Sequence, residues 1–369
     1  MGVLMFLVIL SIVGVVGIAS VGILNQPQFG KIPSGERLER IERSPHYKDG
    51  HFQNETPTVT MTKDKGSLSA WWDFLVQDHP STIPDSGQIK VIKTDLSKLD
   101  KNQDLILWFG HSSYMIQAAG KRILVDPVFF AGAPFQFINK AFPGTQIYAP
   151  SDIPDIDYLV ITHDHYDHLD YETVTQIKDR VSHVITGLGV GSHLEYWGYP
   201  KSKLTELDWG EAAEFSDGTK FHCLPARHFS GRSLFQTKTL WASFVLETPS
   251  GKIYIGGDSG YDKHFAHIGK AFPDLDFAIL ENGQYNENWA NIHTLPSELP
   301  QIAGDLNAKR YMTVHNSKFK LSTHRWDEPI KNAEALREKG FDVIIPTIGE
   351  PVEWKKAIVA PEQNKTVEN

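Results

Sequence analysis

The stretch that most constrains the fold of this chain is "DYLVITHDHYDHLD", Asp157 to Asp170. Its apolar run, Tyr158 to Ile161, shows no alternation, which is how a strand buried on both faces reads. The sheet that contains it must therefore be covered on two sides. Asp170 stands where an N-cap would open a helix in "YETVTQIKD", so the cluster between is a strand-to-helix loop. With 16 histidines in 369 residues, an HxHxDH string arises by chance on the order of two times in a thousand such chains. Four converging nitrogen and oxygen donors suit a metal of zinc's kind.

Other short β-rich runs recur from Asp104 onward: "DLILWFG", "SYMIQAAG", "KRILVDPV", "LWASFVLET", "KIYIGGDS", "FAIL" and "RYMTV". "TPSGK" reads as a hairpin turn between two of them. Helical patterns intervene at "YETVTQIKDRV", "SELPQIAGDL" and "PIKNAEALREKG", which makes the body an α/β unit. No internal repeat or low-complexity tract is visible. The expected divisions are a membrane anchor or signal segment at 1–25, a Pro-broken wrapping extension at 26–100, the α/β body at 101–357 and a polar tail at 358–369.

Composition narrows the chemistry. The single cysteine, Cys223, excludes a disulfide and a thiolate zinc cluster, so a metal must be held by His, Asp or Glu. A net charge of −9 argues against a nucleic-acid partner, which needs clustered Lys and Arg. One loop cannot complete two metal sites, and further donors are expected at later strand ends. His228 after "FHCLPAR", Asp258 in "KIYIGGDSG" and His315 in "RYMTVHNS" stand there. Two metal ions sharing a carboxylate and a water lower that water's pKa toward neutrality and clamp a developing oxyanion.

These motifs, with "WFGHSSYMIQ", "ILVDPVF", "LPARHFSGRSL", "GGDSGY", "NIHTLPSEL" and "VHNSKF" in that order, resemble the metallo-β-lactamase-fold hydrolases. Within them they are similar to the N-acyl phosphatidylethanolamine-hydrolysing phospholipase D branch. The resemblance covers roughly Asp104 to Trp354 and implies an αββα sandwich, two mixed sheets flanked by helices. It implies one zinc on His163, His165 and His228, a second on Asp167, His168 and His315, and Asp258 bridging both, with Mn2+ or Fe2+ as substitutes. Asp167, Asp258 and His293 are the implied catalytic residues, and His293 also a substrate contact. His111 and Asp126 are expected beside the site, orienting ligands.

The activity so implied is release of N-acylethanolamine from a membrane phospholipid. The alternative is a lactonase or other small-ester hydrolase, since relatives of L-ascorbate 6-phosphate lactonase share "GHSS", "DP" and a similar metal loop. Gly2 to Leu24 carries no charge and is long enough to span a bilayer. It is expected to be a single-pass anchor in a bacterial inner membrane. Lys31, Arg37, Arg40 and Arg43 behind it point to a cytoplasmic body, and export after signal cleavage is the rival reading. Enzymes of the branch are often dimers, so a homodimer is allowed.

Overall fold

The computed structural model describes residues 5–6, 21–62, 81–232 and 235–355. Most of the uncharged run from Gly2 to Leu24, and the whole tail at 358–369, lie outside them. Among the described residues no helix is long and apolar enough to cross a membrane. After a small hairpin, β1 (Tyr47–Lys48) and β2 (His51–Phe52), come β3 (Leu105–Trp108), β4 (Tyr114–Ala118), β5 (Lys121–Val125), β6 (Ile156–Ile161), β7 (Val181–Gly187) and β8 (Leu204–Leu207). The second sheet holds β9 (Ala212–Glu214), β10 (Lys220–Leu224), β11 (Ser243–Thr248), β12 (Gly251–Ile255), β13 (Phe277–Glu281), β14 (Tyr311–Val314) and β15 (Val343–Ile344). A last strand, β16 (Pro351–Glu353), returns to pair with β3, so each sheet has seven strands.

The two sheets repeat one pattern that the sequence does not display. From β16 through β3, β4 and β5 the pairings are antiparallel, then parallel to β8. From β9 to β12 they are again antiparallel, then parallel to β15. Because β5, β6, β12, β13 and β14 run parallel within their sheets, their C-terminal ends meet one edge, where α/β sheets place their sites.

Side-chain alternation builds the layers. On β6, Tyr158 and Val160 pack between the sheets with Phe221, Phe244, Ile253 and Ile279. Their neighbours Leu159 and Ile161 face outward onto Val174 and Ile177 of the helix Tyr171–Ile177. The second sheet likewise turns Val245, Tyr254 and Leu280 toward helices His264–Ala271, Leu299–Leu306 and Glu328–Glu338. Burying each such side chain contributes about 1.5–3 kcal/mol. The two mixed sheets with flanking helices are those expected.

Local departures have physical causes. The helix read through "YETVTQIKDRV" stops at Ile177, and after one 3-10 turn β7 begins at Val181. The Arg180 guanidinium donates to the carbonyls of Pro150 and Ile153, which turns the chain away from the helix axis. Asp170 stands at the N-cap, yet its carboxylate does not cap the helix. It accepts instead from the amides of Phe129 and Phe130 and from the Thr173 hydroxyl, pinning the loop after β5.

The extension meets the metal-loop segments at two points. The Trp197 indole donates to Pro27 O, and buried Arg232 donates to Gln28 O, Asp164 O and Leu169 O while stacking on Tyr166. Farther on, Asn54 grips the backbone of His228 twice, donating to its carbonyl at 2.8 Å and accepting from its amide at 3.1 Å. Replacing Asn54 by Ala orphans both groups, and we expect a loss of about 2 kcal/mol in urea denaturation. Asn54→Asp, which keeps only the acceptor, should fall between.

Candidate metal centre

Each cluster residue stands where a strand ends and the backbone turns sharply. His111 follows β3, Asp126 follows β5 and His315 follows β14, with φ of 54°, 41° and 69°. Positive φ is uncommon outside glycine and concentrates at functional sites. Asp258 follows β12 through Gly257, itself at φ 61°, and at Gly260 a Cβ would lie 2.0 Å from Asn291 O. That close approach brings the segment bearing His293 against the one bearing Asp258.

The structure brings the seven expected residues together, with four of the histidines within 4.0 Å of Asp258 Oδ2. His163 Nε2 and His228 Nε2 lie 2.9 and 3.2 Å from His165 Nδ1, forming one trio. In the other, His168 Nε2 and His315 Nε2 lie 3.6 and 3.3 Å from Asp167 Oδ2. Asp258 Oδ2 sits between them, 3.2 Å from His168 and His315, 3.8 Å from His228 and 4.0 Å from His163. The donors of His163, His165 and His228 lie close enough together to hold one ion, as do those of His111, Asp167, His168 and His315. The donor set fits two divalent cations. Asp258 Oδ1 is buried without a hydrogen-bond partner, a costly state that a cation relieves.

Outer contacts fix which nitrogen faces inward. His228 Nδ1 donates to Ile292 O at 2.8 Å, leaving Nε2 free as a ligand. His168 Nδ1 is 2.8 Å from Asp126 Oδ2, and Asp126 is held in turn by the amide and hydroxyl of Thr162. His111 Nε2 meets Asp167 Oδ2 at 2.9 Å. Burial, reinforced by nearby His315, pushes its pKa down to about 3, so it donates as a neutral imidazole.

Electrostatics divide the two trios. Burial drives His163, His165 and His228 toward the neutral form that metal binding requires. Burial also opposes charge on His168 and His315, but Asp258 and Asp167 outweigh it, holding His168 well above its usual range and raising His315 to about 10. Asp258 and Asp167 are held well below the usual carboxylate range, where burial loses to His168 and its neighbours. In metal-free protein the charge on His315 stabilises the fold fully below an ordinary histidine's pKa of about 6.5 and is lost as pH rises toward 10.

Sequence reasoning missed three residues here. Glu281, buried at the end of β13, contacts His293 Nδ1, lies 3.1 Å from His315 Nδ1 and accepts from Ser259 N. It ends the apolar run "FAIL", and its position one residue past that run was the available signal. Asp164, inside the metal loop, accepts from Gly231 N and Thr239 Oγ1, with His193 Nε2 at 3.0 Å. Asn54 lies in the extension and carries no motif at all. His293 itself is brought to the centre, 4.0 Å from Asp258 Oδ2 and stacked on His315.

Two outcomes follow. Metal bound by His168 and His315 would replace their protons, so calorimetric zinc titration near pH 7 in buffers of differing ionisation enthalpy should show about two protons released. Asp126→Asn, which weakens the hold on His168, should lower zinc affinity about 10- to 100-fold in chelator competition.

Comparison with known proteins agrees with this geometry. The beta-lactamase superfamily domain matches residues 121–316. An uncharacterized protein of Mycobacterium tuberculosis is 35% identical over 321 residues, 85% of either chain. An N-acyl-phosphatidylethanolamine-hydrolyzing phospholipase D of Caenorhabditis elegans is 29% identical over 233 residues, 58% of this chain and 64% of its own. Among solved structures, the metallo hydrolase Igni18 of Ignicoccus hospitalis shares the fold with a TM-score of 0.52 at 19% identity, covering 67% of this chain and 97% of its own. The chain belongs to the beta-lactamase superfamily and is a metallo-β-lactamase-fold hydrolase resembling the N-acyl-phosphatidylethanolamine-hydrolysing phospholipases D.

Proposed function

We propose that this protein is a dinuclear zinc phosphodiesterase that cleaves N-acyl phosphatidylethanolamine to phosphatidic acid and an N-acylethanolamine. The observation that carries the reading is Asp258 Oδ2 placed between two nitrogen-and-oxygen trios. Two ions bound there would lower the pKa of a shared water and polarise a phosphoryl oxygen. The chain's own part is to aim and to move protons. Asp167, steadied by His111, and Asp258 are the acceptors for the proton the water gives up. His293, its Nδ1 engaged by Glu281, keeps Nε2 to meet a substrate oxygen or protonate the leaving one.

The substrate assignment rests on the likeness to the nematode phospholipase and on apolar surface in the loop after β5. Phe129 and Phe142 of that loop fill the core, whereas Phe137 is 76% exposed and Ile138 58% exposed. Phe137 stacks on Phe135, which meets Phe29 of the extension at 6.1 Å. The exposed pair thus lies near the chain that leads from Gly2–Leu24, in keeping with a bilayer-anchored enzyme taking lipid from an inner membrane. Export after signal cleavage would instead leave a free body.

Detergent-solubilised full-length protein should hydrolyse N-acyl phosphatidylethanolamine faster than a lactone panel or a generic phosphodiester. Asp258→Ala should lower that rate about a thousandfold or more, and chelation should abolish it until zinc is restored. Undiminished turnover after metal removal would overturn the mechanism; faster lactone turnover would overturn the substrate.

A further inference from the structure

Away from the metal centre, the extension and the helix Gly191–Tyr196 border an open surface cavity of about 560 Å3. Lys31, Arg37, Arg40, Arg43 and Lys201 line it. Three carboxylates, Glu36, Glu195 and Glu206, share the wall, and Arg40 pairs with a fourth, Glu211, at 2.9 Å, so five basic groups leave an excess of one positive charge in a chain whose net charge is −9. Arg37 is committed, donating to both Glu195 and Glu206 at 2.8 Å. Lys201 pairs with Glu36 on an exposed surface, where water screens the attraction. Among the described residues, Lys31 and Arg43 have no carboxylate partner. Two free cations on a concave, mixed-charge wall are what a phosphate group needs, since charge-assisted donors bind it strongly.

The cavity is wired to the metal loop. Ser192, Glu195 and Tyr196 face the cavity, while His193 on the same helix is buried and points the other way. Its Nδ1 accepts from the Lys31 amide at 2.9 Å, and its Nε2 lies 3.0 Å from Asp164, which sits between His163 and His165. The fit at this joint is close, because at Gly30, with φ 72°, a Cβ would lie 2.0 Å from His193 Nδ1. A group that grips Lys31 therefore tightens a contact which ends one residue from two metal ligands.

We propose that this cavity binds a phosphate-bearing anion, either a phospholipid headgroup or free phosphate, and that the bound anion orders the strap around Lys31 and through His193 the metal loop. The site is separate from the hydrolytic centre and does not depend on which substrate that centre takes.

The test is hydrogen exchange on the zinc-loaded full-length protein. Inorganic phosphate is one probe, added to the detergent-solubilised protein. Phosphatidylcholine nanodiscs with and without phosphatidic acid are the other. At least one probe should slow exchange of the Lys31 amide and the helix Gly191–Tyr196 about tenfold. A response to inorganic phosphate identifies a soluble anion as sufficient; a response to phosphatidic acid alone identifies a lipid headgroup. Arg43→Gln, which removes an exposed side chain without a partner, and Lys31→Gln should each abolish the protection at unchanged zinc content. Exchange indifferent to both probes would overturn the proposal. So would protection that survives in both variants, since the anion would then act at the metal centre.

Discussion

A fully buried carboxylate, Asp258, is the group the rest of this structure answers to. An ionised carboxylate in a low-dielectric interior costs several kcal/mol unless positive charge comes with it. The fold brings five imidazole nitrogens within 4.0 Å of its Oδ2, those of His163, His168, His228, His293 and His315. Imidazoles can supply that charge only by taking protons or by handing over to a cation. Burial forbids the first for His163 and His228 and leaves it to His168 and His315. Electrostatics alone therefore divide the site into groups ready to bind a metal and groups that must first release a proton.

Holding such a cluster requires backbone that does not relax. His111, Asp126 and His315 are kept at positive φ by strand ends locked in ladders on either side. The neighbouring cation Lys318 is buried entirely, with its Nζ on the carbonyls of Phe109 and Val128. Burial lowers its pKa to about 7, so the loops after β3 and β5 are tied together by a group near its own titration point. Arg232 ties the metal loop to the extension in the same manner, through carbonyls and not through a paired acid.

How much of this was legible in sequence follows from how local each feature is. The loop His163–His168 could be read because its ligands and the strand that aims them are contiguous. His228, Asp258 and His315 could be read because each follows an apolar or β-rich run. Glu281 could not be told from any residue that ends a strand, since its meaning lies in His293 and His315, distant in sequence. Asn54 and Asp164 act on backbone groups far along the chain, and no spacing rule encodes such a contact. Strands β7 to β9 escaped because exposed or half-exposed residues interrupt their burial, as in "AAE" at Ala212–Glu214. The described residues leave Gly2–Leu24 largely aside, so the apolar run stands as a sequence observation.

The repeated sheet pattern has a consequence for how the molecule comes apart. His163, His165, Asp167 and His168 belong to the first sheet's loops, whereas His228, Asp258 and His315 belong to the second's. Each trio draws two members from one half and one from the other, and the shared carboxylate comes from the second. Neither half owns a complete coordination sphere. Ions held there would rivet the seam, and a fluctuation that parts the sheets at this edge would also empty the centre.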